Sequence, residues 1–134
     1  MQNKENKFFK ILIADDNVQY RNTMATRLRL QGLHVEISSG GFHLLNIIEN
    51  AHDFAPIIII HEDLSDISAL ECILLIRTSK EPEKLPIIFI SKDNSKEKID
   101  EIINNGANEY FIESSVLQPI VESIKKVTTQ LKLS

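Results

Sequence analysis

The chain of 134 residues is 43% hydrophobic and sets 15 Lys and Arg against 19 Asp and Glu, for a net charge of −4. That length supports one domain around a single core, residues 1–134, and the acidic balance offers no footprint for a nucleic-acid backbone or an anionic membrane surface. The single cysteine, Cys72, cannot close an intramolecular disulfide and reads as core; the polar residues 1–7 lead into no apolar run, and none later could span a bilayer, so a cytoplasmic location is expected.

Short apolar runs alternate with longer, polar-interrupted stretches, the pattern of strands separated by helices in a parallel sheet. Strands are expected at 9–14, 35–38, 57–60, 87–90 and 109–112. The third is four consecutive isoleucines, and Pro86 introduces the fourth, Ile87, Ile88, Phe89 and Ile90; β-branched runs of this kind suit strands buried on both faces.

The first helix is read from Val18, Met24, Ala25 and Leu28, which recur at near-helical spacing, with a stop at Gly32. The second is read from Phe42, Leu45, Ile48 and Glu49, and the third from Leu70, Ile73, Leu74 and Arg77. Asn94 with Glu97 resembles a capping box that opens the fourth, which presents Ile99, Ile102 and Ile103 and stops at Asn105-Gly106. The fifth carries the most regular stripe, Leu117, Ile120, Val121, Ile124, Val127 and Leu131, with Pro119 tolerated in its first turn.

The sum is a (βα)5 chain of the α/β class, with no repeat or linker. Right-handed crossovers predict a doubly wound, five-stranded parallel sheet of order 2-1-3-4-5, flavodoxin-like in topology. Ligands in such sheets bind beyond the carboxyl ends of the strands, at the switch point between the first and third. Asp15, Asp16 and His61 arrive there. No glycine-rich phosphate loop, serine nucleophile elbow or cysteine–histidine pair is present, so no enzyme is read.

Four marks agree in order and spacing: the acidic pair in ILIADDN at 11–17, Leu70-Glu71, the LPIIFIS stretch ending at Ser91, and GANEYF at 106–111. Together they make residues 9–131 resemble a receiver domain of the bacterial response-regulator family. The resemblance implies an acceptor aspartate at the end of the third strand, Mg²⁺ held by it and the acidic pair, and a lysine after the fifth strand that contacts the phosphoryl oxygens. Counting from Leu70-Glu71 puts His61 at the acceptor position, and counting from Gly106-Ala107 puts Glu113 at the lysine position. Nearby, Ser65 and Ala69 stand where the family usually has proline and glycine, and Ser114 where a proline follows the lysine.

Those departures change the expected chemistry. Imidazole replaces the carboxylate that would form an acyl phosphate and ligate Mg²⁺, and Glu113 adds negative charge where a phosphoryl group would need positive charge. One reading is a charge swap, with His61 facing Glu113 in reversed signs and Asp15 and Asp16 favouring the protonated ring; the other leaves His61 a polar strand end. Asp15 and Asp16 remain candidate cation ligands, although no cofactor is required. Glu62 would reach the site only through a one-residue slip of the third strand, and Asp63 reads as a solvated loop carboxylate.

Ser91 and Tyr110 match the family's switch pair of hydroxyl and mobile aromatic ring, with the hydroxyl's phosphoryl partner missing. Lys92, Arg21, Arg27, Arg29, His34, His43 and His52 read as solvated surface. The chain is therefore identified as a degenerate, or pseudo-, receiver that binds proteins without phosphorylation. By resemblance its contact surface is the fourth helix, fifth strand and fifth helix, including Lys96, Lys98, Glu101, Tyr110 and Lys125, with a homodimer as one occupant. The rival readings are an active phospho-receiver using Glu62 or His61, and a metal or small-ligand sensor built on the acidic pocket.

Overall fold

The computed structural model describes residues 8–133; the polar residues 1–7, read only for their composition, lie outside the described residues. The elements follow the expected order: β1 (Phe8–Ala14), α1 (Val18–Leu30), β2 (His34–Ile37), α2 (Gly41–Glu49), β3 (Phe54–His61), α3 (Ala69–Arg77), β4 (Ile87–Ser91), α4 (Lys96–Asn104), β5 (Glu109–Ile112) and α5 (Gln118–Leu133). The five strands are parallel and ordered β2-β1-β3-β4-β5, as the topology argument required. No helix among the described residues is long and apolar enough to cross a membrane.

Strand alternation divides the core into two layers. Ile58, Ile60, Phe89 and Leu12 pack with Leu44, Ile73, Ile76 and Ile102 on the side covered by α2, α3 and α4. Ile57, Ile59, Ile88, Ile90, Ile11 and Ile13 pack with Met24, Leu28, Ile120 and Ile124 on the side covered by α1 and α5. Cys72 lies fully buried in the first layer, and burial pushes its thiol up to about 12.

β3 begins three residues before the expected Ile57 and runs through Pro56. A proline in a central strand normally forfeits a ladder bond. Here the N–H of Ile58 points to Pro86 at the start of β4, so residue 56, of the same parity, faces that side before β4 has begun. At that level β3 is an edge strand, and its missing donor leaves nothing unpaired.

Three helix readings shift by a residue or more. Ser95, not Asn94, caps α4, its side chain accepting the Lys98 N–H. α2 buries Leu44 and Ile48 and leaves Phe42 59% exposed; α3 buries Ala69, Cys72, Ile73 and Ile76 and leaves Leu74 at 44%. Both helices are apolar nearly all round, so several stripes compete in the sequence and the packing of the helix start selects among them. For α2 that start is Gly40-Gly41, where a Cβ would meet Asp66 Oδ2 at 2.7 Å and Ile67 Cγ2 at 2.3 Å. The Asp66 carboxylate accepts the N–H groups of Gly41 and Phe42 at 3.0 and 3.1 Å, capping α2 from the far side of the loop after β3 and holding its own pKa lowered. The α5 stripe stands as expected, with Leu117, Ile120, Val121 and Ile124 buried.

Candidate functional site

The carboxyl ends of β1, β3, β4 and β5 bring Asp15, Asp16, His61, Glu62, Ser91 and Glu113 to one edge of the sheet. The register of β3 is fixed by Ala14↔Ile60 and His61↔Ile90, with no slip. The N–H of Glu62 still bonds Ile90 O at 2.9 Å, continuing the ladder one residue past the strand. His61 therefore shares a face with Ile57 and Ile59, towards α1 and α5, and Glu62 shares one with Ile58 and Ile60, towards α4.

On the α1/α5 side, His61 is 1% exposed. Its Nε2 lies 2.5 Å from Glu113 Oε1, and its Nδ1 accepts the Asp63 N–H at 3.0 Å. A nitrogen that accepts an N–H carries no proton, so the ring proton sits on Nε2 and is donated to Glu113. The expected facing of His61 and Glu113 is present, but in this arrangement as a neutral ring donating to a carboxylate rather than a reversed-sign ion pair. The Tyr20 ring meets His61 edge-on at 5.7 Å, and its hydroxyl donates to Ser114 O at 3.4 Å.

Asp15 is 3% exposed, with Oδ1 4.0 Å from His61 Nδ1. Burial pushes its carboxyl pKa up, opposed by the Asn17 N–H at 2.8 Å. Asp16 points elsewhere: Oδ2 accepts both the N–H of Ser65, at 2.8 Å, and its hydroxyl. Asp63 is exposed, as read, with Oδ2 3.5 Å from His61 Nδ1. One donor atom from each of Asp15, His61 and Asp63 lies within 4.8 Å of the others. Beside this cluster a cleft of about 310 Å³ is lined by Asn17, Tyr20, Thr23, Arg27, Glu113 and Leu117.

On the α4 side the Ser91 hydroxyl, fully buried, has a partner that the sequence reading did not assign. It donates to Glu62 Oε1, while Glu62 Oε2 pairs with Lys98 Nζ at 3.0 Å. Burial alone would raise the Glu62 pKa; the bonds from Ser91 and Lys98 reverse that and hold it lowered. Ser91 Oγ also accepts the Asp93 N–H at 2.9 Å, and Asp93 O accepts the Tyr110 hydroxyl at 2.6 Å. The Tyr110 ring is half-buried against Phe89, centroids 5.3 Å apart. Lys92 is exposed, as are His34, His43 and His52, and His43 Nδ1 accepts the Ser39 N–H at 2.9 Å. Arg21 and Arg29 spend guanidinium bonds on the carbonyls of Asp15 and Val35.

Known proteins place this arrangement. The family model described as the response regulator receiver domain matches residues 11–125. The chain is 28% identical over 104 residues to the CAI-1 autoinducer sensor kinase/phosphatase CqsS of Vibrio cholerae, 77% of this chain but only 15% of that protein's length. It is 24% identical to the chemotaxis protein CheY-3 of Vibrio cholerae, covering 94% of this chain and 96% of that one. A CheY-like receiver domain from Methanospirillum hungatei superposes with a TM-score of 0.81 at 25% identity, over 96% of this chain and all of the other. The receiver domain of the yeast response regulator Ssk1, solved with the histidine phosphotransfer protein Ypd1, gives 0.78 at 18% identity, over 92% and 90%. With its parallel sheet, its acidic pair at the end of β1 and a family match across nearly the whole fold, the chain belongs to the response regulator receiver domain family.

Proposed function

We propose that this receiver has given up phosphoryl acceptance and signals by binding a protein partner. His61 carries the reading: it ends β3, where the family's acceptor carboxylate is expected, and both its ring nitrogens are engaged, by Glu113 and by the Asp63 N–H. A ring held in this way supplies no carboxylate to form an acyl phosphate, and Glu113 sets a negative charge beside it. Glu62 is a weak substitute acceptor, because its carboxylate is bonded to Ser91 and Lys98 on the other side of the sheet.

Mg²⁺, the ion the resemblance implies, fits these residues poorly. It demands oxygen ligands in near-octahedral order. Asp15 Oδ1 also accepts the Asn17 N–H, Asp16 Oδ2 turns to the N–H and hydroxyl of Ser65, and the third position is a nitrogen. The surface of α4, β5 and α5 supports the binding role, with Lys96, Glu101 and Lys125 exposed and Lys98 and Tyr110 half-exposed. A second copy of the chain is one partner that such a face fits.

The test is to incubate the chain with acetyl phosphate and Mg²⁺ and read its intact mass. Amide NMR then follows Asp16, His61, Ser91 and Tyr110 as Mg²⁺ and beryllofluoride are added. The expected result is no phosphoryl adduct and no shifts; an adduct, or shifts running from the pocket to Tyr110, would sink the proposal. One observation favours a second reading, a transition-metal sensor: Asp15, His61 and Asp63 cluster while Glu113 holds the other ring nitrogen, as outer carboxylates hold metal-ligating histidines. A metal there would have to displace the Asp63 N–H from Nδ1, and micromolar or tighter binding in a parallel titration with Zn²⁺ would favour it.

A further inference from the structure

α3 and α4 each span nine residues, yet α3 buries four side chains and α4 buries one, Ile102. Ile99 is half-buried and Ile103 38% exposed. Apolar burial is what normally sets a helix on a sheet, so α4 rests on an unusually small patch. Its polar ties therefore matter more than those of its neighbours. Of its ion pairs, Lys96–Asp100 and Lys98–Glu101 are internal to the helix, and Lys98–Glu62 reaches the sheet.

That tie does not end at Glu62. The second carboxylate oxygen accepts the buried Ser91 hydroxyl, Ser91 accepts the Asp93 N–H, and Asp93 accepts the Tyr110 hydroxyl. One continuous polar path thus joins α4, β3, β4, the β4–α4 loop and β5. A carboxylate suits the central position because it accepts at two oxygens at once, one towards a hydroxyl and one towards an ammonium. Among the described contacts, Glu62 is the residue where the two halves of the path meet.

We propose that Glu62 is an internal anionic ligand for Ser91 and Lys98, and that this ligand, more than apolar packing, fixes the position of α4. The arrangement keeps the buried hydroxyl satisfied and occupies the one O–H donor of Ser91 that an anion from outside would need. It bears on the proposed binding face, which it would hold in one shape without any phosphoryl group. It rests on that reading only for its signalling consequence, since the device itself is read from backbone exchange and not from partner capture, so either can fail alone.

The test is hydrogen exchange on the full chain at neutral pH, comparing the wild type with Glu62→Gln, Glu62→Ala and Lys98→Met. Because a partly exposed ion pair contributes little to global stability, the signal is local. In Glu62→Ala, exchange in residues 92–104 should quicken about tenfold while α3 and α5 keep their wild-type rates. Glu62→Gln, which can still accept from Ser91 but cannot pair with Lys98, and Lys98→Met should fall between. Added acetate should slow residues 92–104 again in Glu62→Ala and leave Lys98→Met unchanged. Wild-type exchange of α4 in both Glu62→Ala and Lys98→Met would overturn the proposal, and so would quickening spread evenly over all helices. Glu62→Gln conserves size and Lys98→Met conserves both size and helix preference, so they decide the matter even if Glu62→Ala folds poorly.

Discussion

His61 and Glu62 are neighbours in sequence and opposites in environment. His61 is 1% exposed and closed in by Glu113, Asp15, Asp63 and Tyr20, so its bonds are part of the core. The Glu62 side chain is 36% exposed and holds one buried hydroxyl and one half-exposed ammonium. The difference teaches that strand parity at the end of β3 separates two environments: one side chain is sealed in the α1/α5 layer, the next reaches towards α4. Removing the first should cost global stability, and removing the second should cost local order.

The largest expected effect is that of His61→Ala. It empties a buried site and leaves Glu113 and the Asp63 N–H without their partner, a loss of about 3 kcal/mol. Urea unfolding should give His61→Ala a far lower midpoint than Glu62→Ala, and the reverse order would break the comparison. Asp15→Asn should act in the other direction. With its folded pKa raised, ionised Asp15 subtracts from stability at neutral pH, and that cost fades as pH falls through the raised value towards the ordinary carboxylate range. The amide removes the charge and keeps an oxygen for the Asn17 N–H, so the unfolding midpoint should move to higher urea. Glu62 has the opposite sign: its lowered pKa gives stability that is present above the ordinary glutamate range and lost as pH falls through its folded value. A lower midpoint for Asp15→Asn would mean that the His61 cluster depends on that charge. The smallest effect belongs to Lys96→Gln. The Lys96–Asp100 pair is 86% and 53% exposed, so neither the urea midpoint nor α4 exchange should change measurably.

How much of this was legible depends on which forces act locally. β-Branched runs and the regular α5 stripe announced strands, order and topology, because burial on both faces of a parallel sheet leaves a strong pattern. The phases of α2 and α3 were not legible, since Phe42, Leu44, Leu45 and Ile48, or Leu70, Ile73, Leu74 and Ile76, are interchangeable by hydropathy alone. The strand expected from Ile57 missed the first three residues of β3, because only the late start of β4 makes Pro56 harmless there. The meeting of His61 with Glu113 followed from the family resemblance, which put the two at facing positions. The pairing of Glu62 with Ser91 could have been found from parity, because Glu62 continues the face of Ile58 and Ile60 while Ser91 continues that of Phe89. What parity does not contain is Lys98, whose reach depends on where α4 starts, and that start moved from Asn94 to Ser95.

The Asp66 cap has a consequence for the order in which the chain can assemble. α2 begins on two glycines, with no side chain of its own to receive its first N–H groups, and the carboxylate that receives two of them comes 25 and 24 residues later. A growing chain that has emerged only as far as α2 holds a helix whose opening turn is still hydrated and free to fray. The turn closes when β3 has joined β1 and the loop beyond it swings back over Gly40 and Gly41. Completion of this helix is thus a report that the central strand is already in place.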